Sequence, residues 1–163
     1  TMIFVHDNVV EITEIKGSSM APTLSPDHHA TGRCDRVLWQ KWQANAHIQR
    51  GDVVYFHSPH MPDRLAVKRI IATEGDSVIL DRRRRPQRER DGADIPESKA
   101  WDALMGKVKT VPEGHVWVEG DNWRSTWDSN HYGPISKNLI IGKAVAVVWP
   151  LDQFWTKPWE GFQ

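Results

Sequence analysis

A mainly β domain carrying a few short helices is the fold this sequence predicts, and three observations predict it. Short apolar runs rich in β-branched residues recur along the chain. Gly-Asp turn signals stand directly ahead of two of them. Helical periodicity is scarce, and no repeat recurs at a fixed period. A length of 163 residues fits one domain that buries its own core, so residues 1–163 are read as a single unit.

The first apolar run, Val9 to Ile15, reads as a strand that ends at Gly17-Ser18-Ser19. Ser19 to Leu24 is the better of two short helix candidates, since serine caps helix starts well. Val37 to Trp39 reads as the next strand, and Arg50-Gly51-Asp52 turns the chain into another, Asp52 to Phe56. Leu65 to Ala72 is a strand whose apolar run is interrupted by Lys68-Arg69. Glu74-Gly75-Asp76 then turns into Ser77 to Leu80. Residues 81–98 break the composition: Arg82 to Arg85, Pro86 and Pro96 with almost nothing apolar read as a mobile surface insertion. Glu89, Asp91 and Asp94 dilute the field of the arginine run, which favours a solvated loop over a site for anionic lipid or an acidic partner. Ser98 to Met105 is the second short helix candidate, and His115 to Glu119 and Ile140 to Trp149 complete the strands.

Composition excludes several function classes. With 21 basic and 21 acidic side chains there is no overall field that would gather nucleic acid, and no nucleic-acid partner is expected. Cys34 is the only cysteine, so neither an internal disulfide nor a cysteine zinc cluster is available. The eight histidines fall without a ligand pattern such as His-Glu-x-x-His, and no metal or cofactor is expected. Nine tryptophans, seven of them between Trp101 and Trp159, are read mostly as core, with an interface as the alternative. No run approaches the ~20 apolar residues of a spanning helix, and His6, Asp7 and Asn8 do not suit a signal-peptide core.

Three segments carry the chemistry. Gly17-Ser18-Ser19 places a hydroxyl at the end of a strand, where a tight turn presents a nucleophile beside a backbone N–H. Lys68 sits in an apolar strand, and burial disfavours its ammonium form, which makes a neutral amine available as a base. An edge strand with two solvated charges, Lys68 and Arg69, is the plainer alternative, and strand alternation lets only one of the two face a cleft. Gly120-Asp121-Asn122 through Asp128-Ser129-Asn130-His131-Tyr132-Gly133-Pro134 reads as a loop returning side chains to a site.

Ser19-Met20-Ala21-Pro22-Thr23, Arg50-Gly51-Asp52-Val53, Lys68-Arg69, Gly120-Asp121-Asn122 and Asp128-Ser129, in this order, resemble the motifs of the type I signal peptidase family. The likeness runs from about Ile12 to Trp149 and implies a signal-peptidase-like, β-rich catalytic domain. Val116 to Asp121, Asp128-Ser129-Asn130 and Gly133 to Ser136 look most like the branch represented by subunit 2 of the mitochondrial inner membrane peptidase. Asn130 supports that branch, because bacterial members usually carry an arginine there to pair with the preceding aspartate; Asp128 must then find other partners.

The resemblance implies a serine endopeptidase that removes N-terminal presequences, with Ser19 as nucleophile and Lys68 as general base. It implies that the Thr126 hydroxyl orients the lysine amine, that Arg69 and Asp121 form a supporting ion pair, and that Asp128 supports the loop. Gly17 stands where several bacterial relatives carry an oxyanion-hole serine, which leaves the Ser19 N–H and an unassigned second donor. Substrate is expected as an extended strand, with Ile15, Gly17, Met20 and Val67 around shallow pockets for small side chains. Precursor polypeptides and a second peptidase subunit, in a heterodimer, are the implied partners. The implied location is the mitochondrial inner membrane, facing the intermembrane space, through an N-terminal anchor for which the residues before Ser19 leave no room. The alternatives are a bacterial-type enzyme at the outer face of the plasma membrane, a self-cleaving repressor, which would need an Ala-Gly cleavage site and a DNA-binding domain, and a non-catalytic β-domain subunit.

Overall fold

The computed structural model describes residues 9–80 and 108–161. Nine strands alternate with tight turns: β1 (Val10–Glu14), β2 (Arg36–Gln40), β3 (Val53–His57), β4 (Leu65–Thr73), β5 (Ser77–Ile79), β6 (Val108–Thr110), β7 (His115–Glu119), β8 (Ile135–Ser136) and β9 (Ile140–Trp149). Two one-turn helices, α1 (His28–Thr31) and α2 (Ser129–Tyr132), lie between them. Seven strands form one sheet in the order β1-β2-β9-β3-β4-β7-β8, antiparallel at every pairing, and β5 and β6 form a separate hairpin.

β3 is the hub of packing. Val53, Val54, Tyr55 and Phe56 are all buried, and strand alternation sends Val53 and Tyr55 into one apolar cluster and Val54 and Phe56 into another. The first cluster gathers Ile15, Met20, Leu24, Val37 and Trp39, and the second gathers Ile70, Val116, Val118 and Ile135. The continuous apolar run that marked β3 in the sequence therefore reflects cover on both faces. Tyr55 lies opposite Gly142 of β9, where any Cβ would run into the Tyr55 ring. That space lets the ring meet Trp39 edge-on at 4.8 Å between centroids.

The turn before β3 and the turn before β5 stand where Arg50-Gly51-Asp52 and Glu74-Gly75-Asp76 predict them. Several expectations are corrected. Residues 19–24 form turns, not a helix: Leu24 N–H reaches Met20 O at 2.9 Å, but Pro22 has no N–H to carry the ladder onward. Among the described residues the helices α1 and α2 are single turns too short for periodicity to announce. β6 and β8, three and two residues long, went unread for the same reason. The tryptophans are mostly exposed: Trp39, Trp117 and Trp159 are buried, while Trp42, Trp123, Trp127, Trp149 and Trp155 are between 41% and 61% exposed. The arginine-rich segment 81–98 and the helix expected at Ser98 to Met105 lie outside the described residues, as does Trp101. Among the described residues no helix is long and apolar enough to cross a membrane.

Candidate active site

Ser19 follows β1 by a short turn through Lys16, Gly17 and Ser18, with Gly17 in the left-handed region at φ +92°. The turn leaves Ser19 only partly buried while both neighbours, Ser18 and Met20, are buried. Ser19 is thereby held on a packed backbone with its hydroxyl within reach of a cleft.

Lys68 comes from β4, an interior strand between β3 and β7, so the solvated-edge alternative does not apply. Its Nζ donates to Ser19 Oγ at 3.0 Å and to the Val67 carbonyl at 2.9 Å, and the residue is 4% exposed. Burial lowers its pKa to about 8, against the upward pull of the Asp128 and Asp121 charges. An amine in this state is neutral in an appreciable fraction of molecules at mildly alkaline pH, and only the neutral amine accepts a proton.

Alternation sends Arg69 the other way. Its guanidinium donates to both carboxylate oxygens of Asp121, at 2.8 and 2.7 Å, and to the carbonyls of Gly51 at 3.1 Å and Trp159 at 2.9 Å. Both side chains of the pair are under a tenth exposed. The planar fork thus ties β4 to three segments distant in sequence, and holds the 120–128 loop against the Lys68 strand.

That loop lies on the nucleophile turn. A Cβ at Gly120 would collide with the Thr126 side chain and approach Ser19 O to 2.6 Å, so glycine is needed for the close approach. Asn122 N–H donates to Ser19 O at 3.0 Å, and the Asn122 side-chain amide to Ser18 O at 3.0 Å. Asp128 caps α2 and accepts from Gly120 N–H at 2.9 Å, from Asn130 N–H at 3.0 Å and from the Asn130 amide at 3.1 Å. Burial pushes the Asp128 carboxyl up, but the nearby His131 side chain and the N–H donors of Gly120 and Asn130 outweigh it and hold the carboxyl below the usual range. Asn130 therefore supplies by hydrogen bonds what an arginine would supply by charge.

An open cleft of about 400 Å³ runs past the two residues, bounded by residues 13–16 on one side and 64–68 on the other. Ile15, Ser19, Tyr55, Val67, Lys68 and Trp127 are among its walls. The family model described as signal peptidase, peptidase S26, matches residues 1–149. The chain belongs to the S26 signal peptidase family. It is 36% identical, over 99% of its length, to a protein of Schizosaccharomyces pombe named mitochondrial inner membrane protease subunit 2, and spans 77% of that protein. It is 33% identical to the Saccharomyces cerevisiae protein of the same name over 95% of its length, spanning 77% of that protein. The Homo sapiens protein named mitochondrial inner membrane protease subunit 1 is 37% identical over 85% of this chain, which spans 69% of it. A solved signal peptidase I from Enterococcus faecalis matches at a TM-score of 0.39 and 24% identity, over 59% of this chain and 95% of that one.

In this peptidase the residues expected at the site separate into three groups. Ser19 with Lys68, and Arg69 with Asp121, stand within hydrogen-bond distance of each other, and Ile15 and Val67 line the cleft. Met20 is sealed in the core at 1% exposure beside Ile15 and Leu24, and neither it nor Gly17 is among the cleft walls. Thr126 Oγ is buried beside Gly120 with no hydrogen-bond partner among the described residues, and the Lys68 amine uses the Val67 carbonyl where the resemblance implies Thr126. Two residues went unassigned in the sequence, Asn122 and Ser18. Ser18 Oγ lies 2.7 Å from His29 Nε2 and 3.1 Å from Ser125 Oγ, a bridge over 107 positions that no local signal predicts.

Proposed function

We propose that this peptidase is a serine endopeptidase that removes presequences from precursor proteins, with Ser19 as nucleophile and Lys68 as general base. The 3.0 Å contact between Lys68 Nζ and Ser19 Oγ, with the lysine buried, is the observation that carries the reading. The neutral amine takes the Ser19 proton as the oxygen attacks the scissile carbonyl, and returns it to the leaving amine as the acyl-enzyme forms. Lys68 then takes a proton from the water that releases the acyl group. The Ser19 N–H faces the oxyanion.

A precursor lies extended in the cleft between residues 13–16 and 64–68, adding backbone hydrogen bonds as an inserted strand does. Ile15 and Val67 flank its small side chains. The similarity to proteins named subunits 1 and 2 of the mitochondrial inner membrane protease supports work at that membrane; a paired complex with the catalytic side toward the intermembrane space is part of the same proposal.

The test is cleavage of a presequence peptide with small residues at P1 and P3 by the membrane-held enzyme with its partner, compared with Ser19→Ala and Lys68→Ala. Loss of cutting in both variants is expected. Equal cutting by all three assigns the chemistry to another residue.

A further inference from the structure

We propose that Asn122 is a positioning residue that aims the Ser19 backbone N–H at the oxyanion, an inference that rests on the dyad reading above. Asn122 grips both carbonyls that flank the nucleophile: its side-chain amide donates to Ser18 O and its own N–H to Ser19 O, each at 3.0 Å. The Ser18 carbonyl belongs to the same planar peptide group as the Ser19 N–H, and in a trans peptide the two point in opposite directions. Holding the carbonyl therefore fixes the direction of the N–H. Ala21 N–H donates to the same Ser18 oxygen at 3.1 Å, so two donors hold the plane. Polarising that carbonyl also strengthens its N–H as a donor.

Among the described residues the Ser19 N–H donates to no protein group, which leaves its hydrogen-bonding capacity unspent beside the cleft that Ser19 lines. Asn122 is itself held: Ser125 N–H donates to its carbonyl at 3.0 Å, and the Ser125 hydroxyl lies 3.1 Å from Ser18 Oγ. The aim of this one donor matters more here than with a hydroxyl two residues earlier, because Gly17 has no side chain to add a second.

The test uses the full-length chain in its membrane with Asn122→Ala and with Asn122→Asp, which keeps the shape and the backbone bond but cannot donate to Ser18 O. Two ligands separate aim from general damage: a substrate-derived peptide aldehyde, whose adduct places an oxyanion at the site, and the same peptide with a methylene replacing the scissile carbonyl. We expect kcat to fall about 10- to 100-fold in both variants, below the full loss of a donor. KM should stay within about twofold and aldehyde affinity should fall in step with kcat, with methylene-peptide affinity unchanged, since ground-state contacts are untouched. Unchanged kcat in Asn122→Asp overturns the inference, as does parallel weakening of both ligands. Ser19→Ala is run alongside: if it still cuts, the dyad reading fails; if it is silent while Asn122→Asp cuts normally, only the Asn122 inference fails.

Discussion

The Lys68 amine stands 3.0 Å from the Ser19 hydroxyl and 2.9 Å from the carbonyl of its own neighbour Val67. The second contact is as informative as the first. A lysine curled back to its own backbone cannot swing toward solvent without losing that bond, so the amine is presented to Ser19 by the strand itself. Asp128 and Asp121 raise its pKa, while burial lowers it further than they raise it.

This balance sets the pH dependence. Lys68 must be neutral to act, and burial brings its pKa to about 8, so kcat/KM is expected to climb through pH 7 to 9 and level off above. Lys68→Arg should be as inactive as Lys68→Ala over that range, because a guanidinium stays protonated. Initial rates across pH 6 to 10 check it; a rate flat in pH, or turnover by the arginine variant, removes Lys68 as the base.

The same burial has a cost in stability. Because the folded pKa lies below the unfolded one, the native state holds fewer protons than the unfolded state between pH 8 and 10.5, and Lys68 contributes stability as pH rises through that window. Below pH 8 the charged amine is a burden of about 3 kcal/mol, the equivalent of the shift. Lys68→Met should therefore be more stable than wild type at pH 6.5, with the advantage shrinking above pH 8. Urea unfolding at the two pH values measures it, and an advantage that does not change with pH contradicts it.

The Arg69–Asp121 pair should behave as a buried pair does when one partner is removed. Asp121→Asn removes the charge that faces the Arg69 guanidinium, while its bonds to the carbonyls of Gly51 and Trp159 remain, and is expected to cost about 3 kcal/mol by urea unfolding. Activity should fall with it, since the 120–128 loop loses its hold on the Lys68 strand. A loss under about 1 kcal/mol would place the pair among weak surface bridges.

Gly120→Ala should be severe although the substitution is small. The new methyl meets the Thr126 side chain and the Ser19 carbonyl, and backbone cannot step aside as a flexible side chain does. Overpacking of this kind costs about 1 to 3 kcal/mol. Activity should fall by more than thermal unfolding alone explains, because the displaced carbonyl belongs to the nucleophile. Cleavage assayed well below the melting temperature separates the two effects.

Much of the site was legible because its chemistry is local. Ser19 at a strand end and Lys68 inside an apolar run each announce themselves within a few residues, and β3 shows its two-sided burial in four apolar residues in a row. The exposed tryptophans were misread because exposure is a property of the finished surface, and an apolar ring looks the same in sequence on either side of it. Thr126 was placed beside the lysine by resemblance, but a hydroxyl's partner depends on distances of a few tenths of an ångström.

By itself the sequence determined a β-rich peptidase domain and most of its strands along the chain, and it put forward Ser19 and Lys68 as a pair, because composition, turn chemistry and motif order survive in one dimension. Only the tertiary structure decided that Lys68 leans on the Val67 carbonyl, that Arg69 joins Asp121 to Gly51 and Trp159, and that Asn122 grips both carbonyls around Ser19. Those contacts join residues up to 104 positions apart, and a hydrogen bond across such a separation exists only once strand register has brought its two ends together.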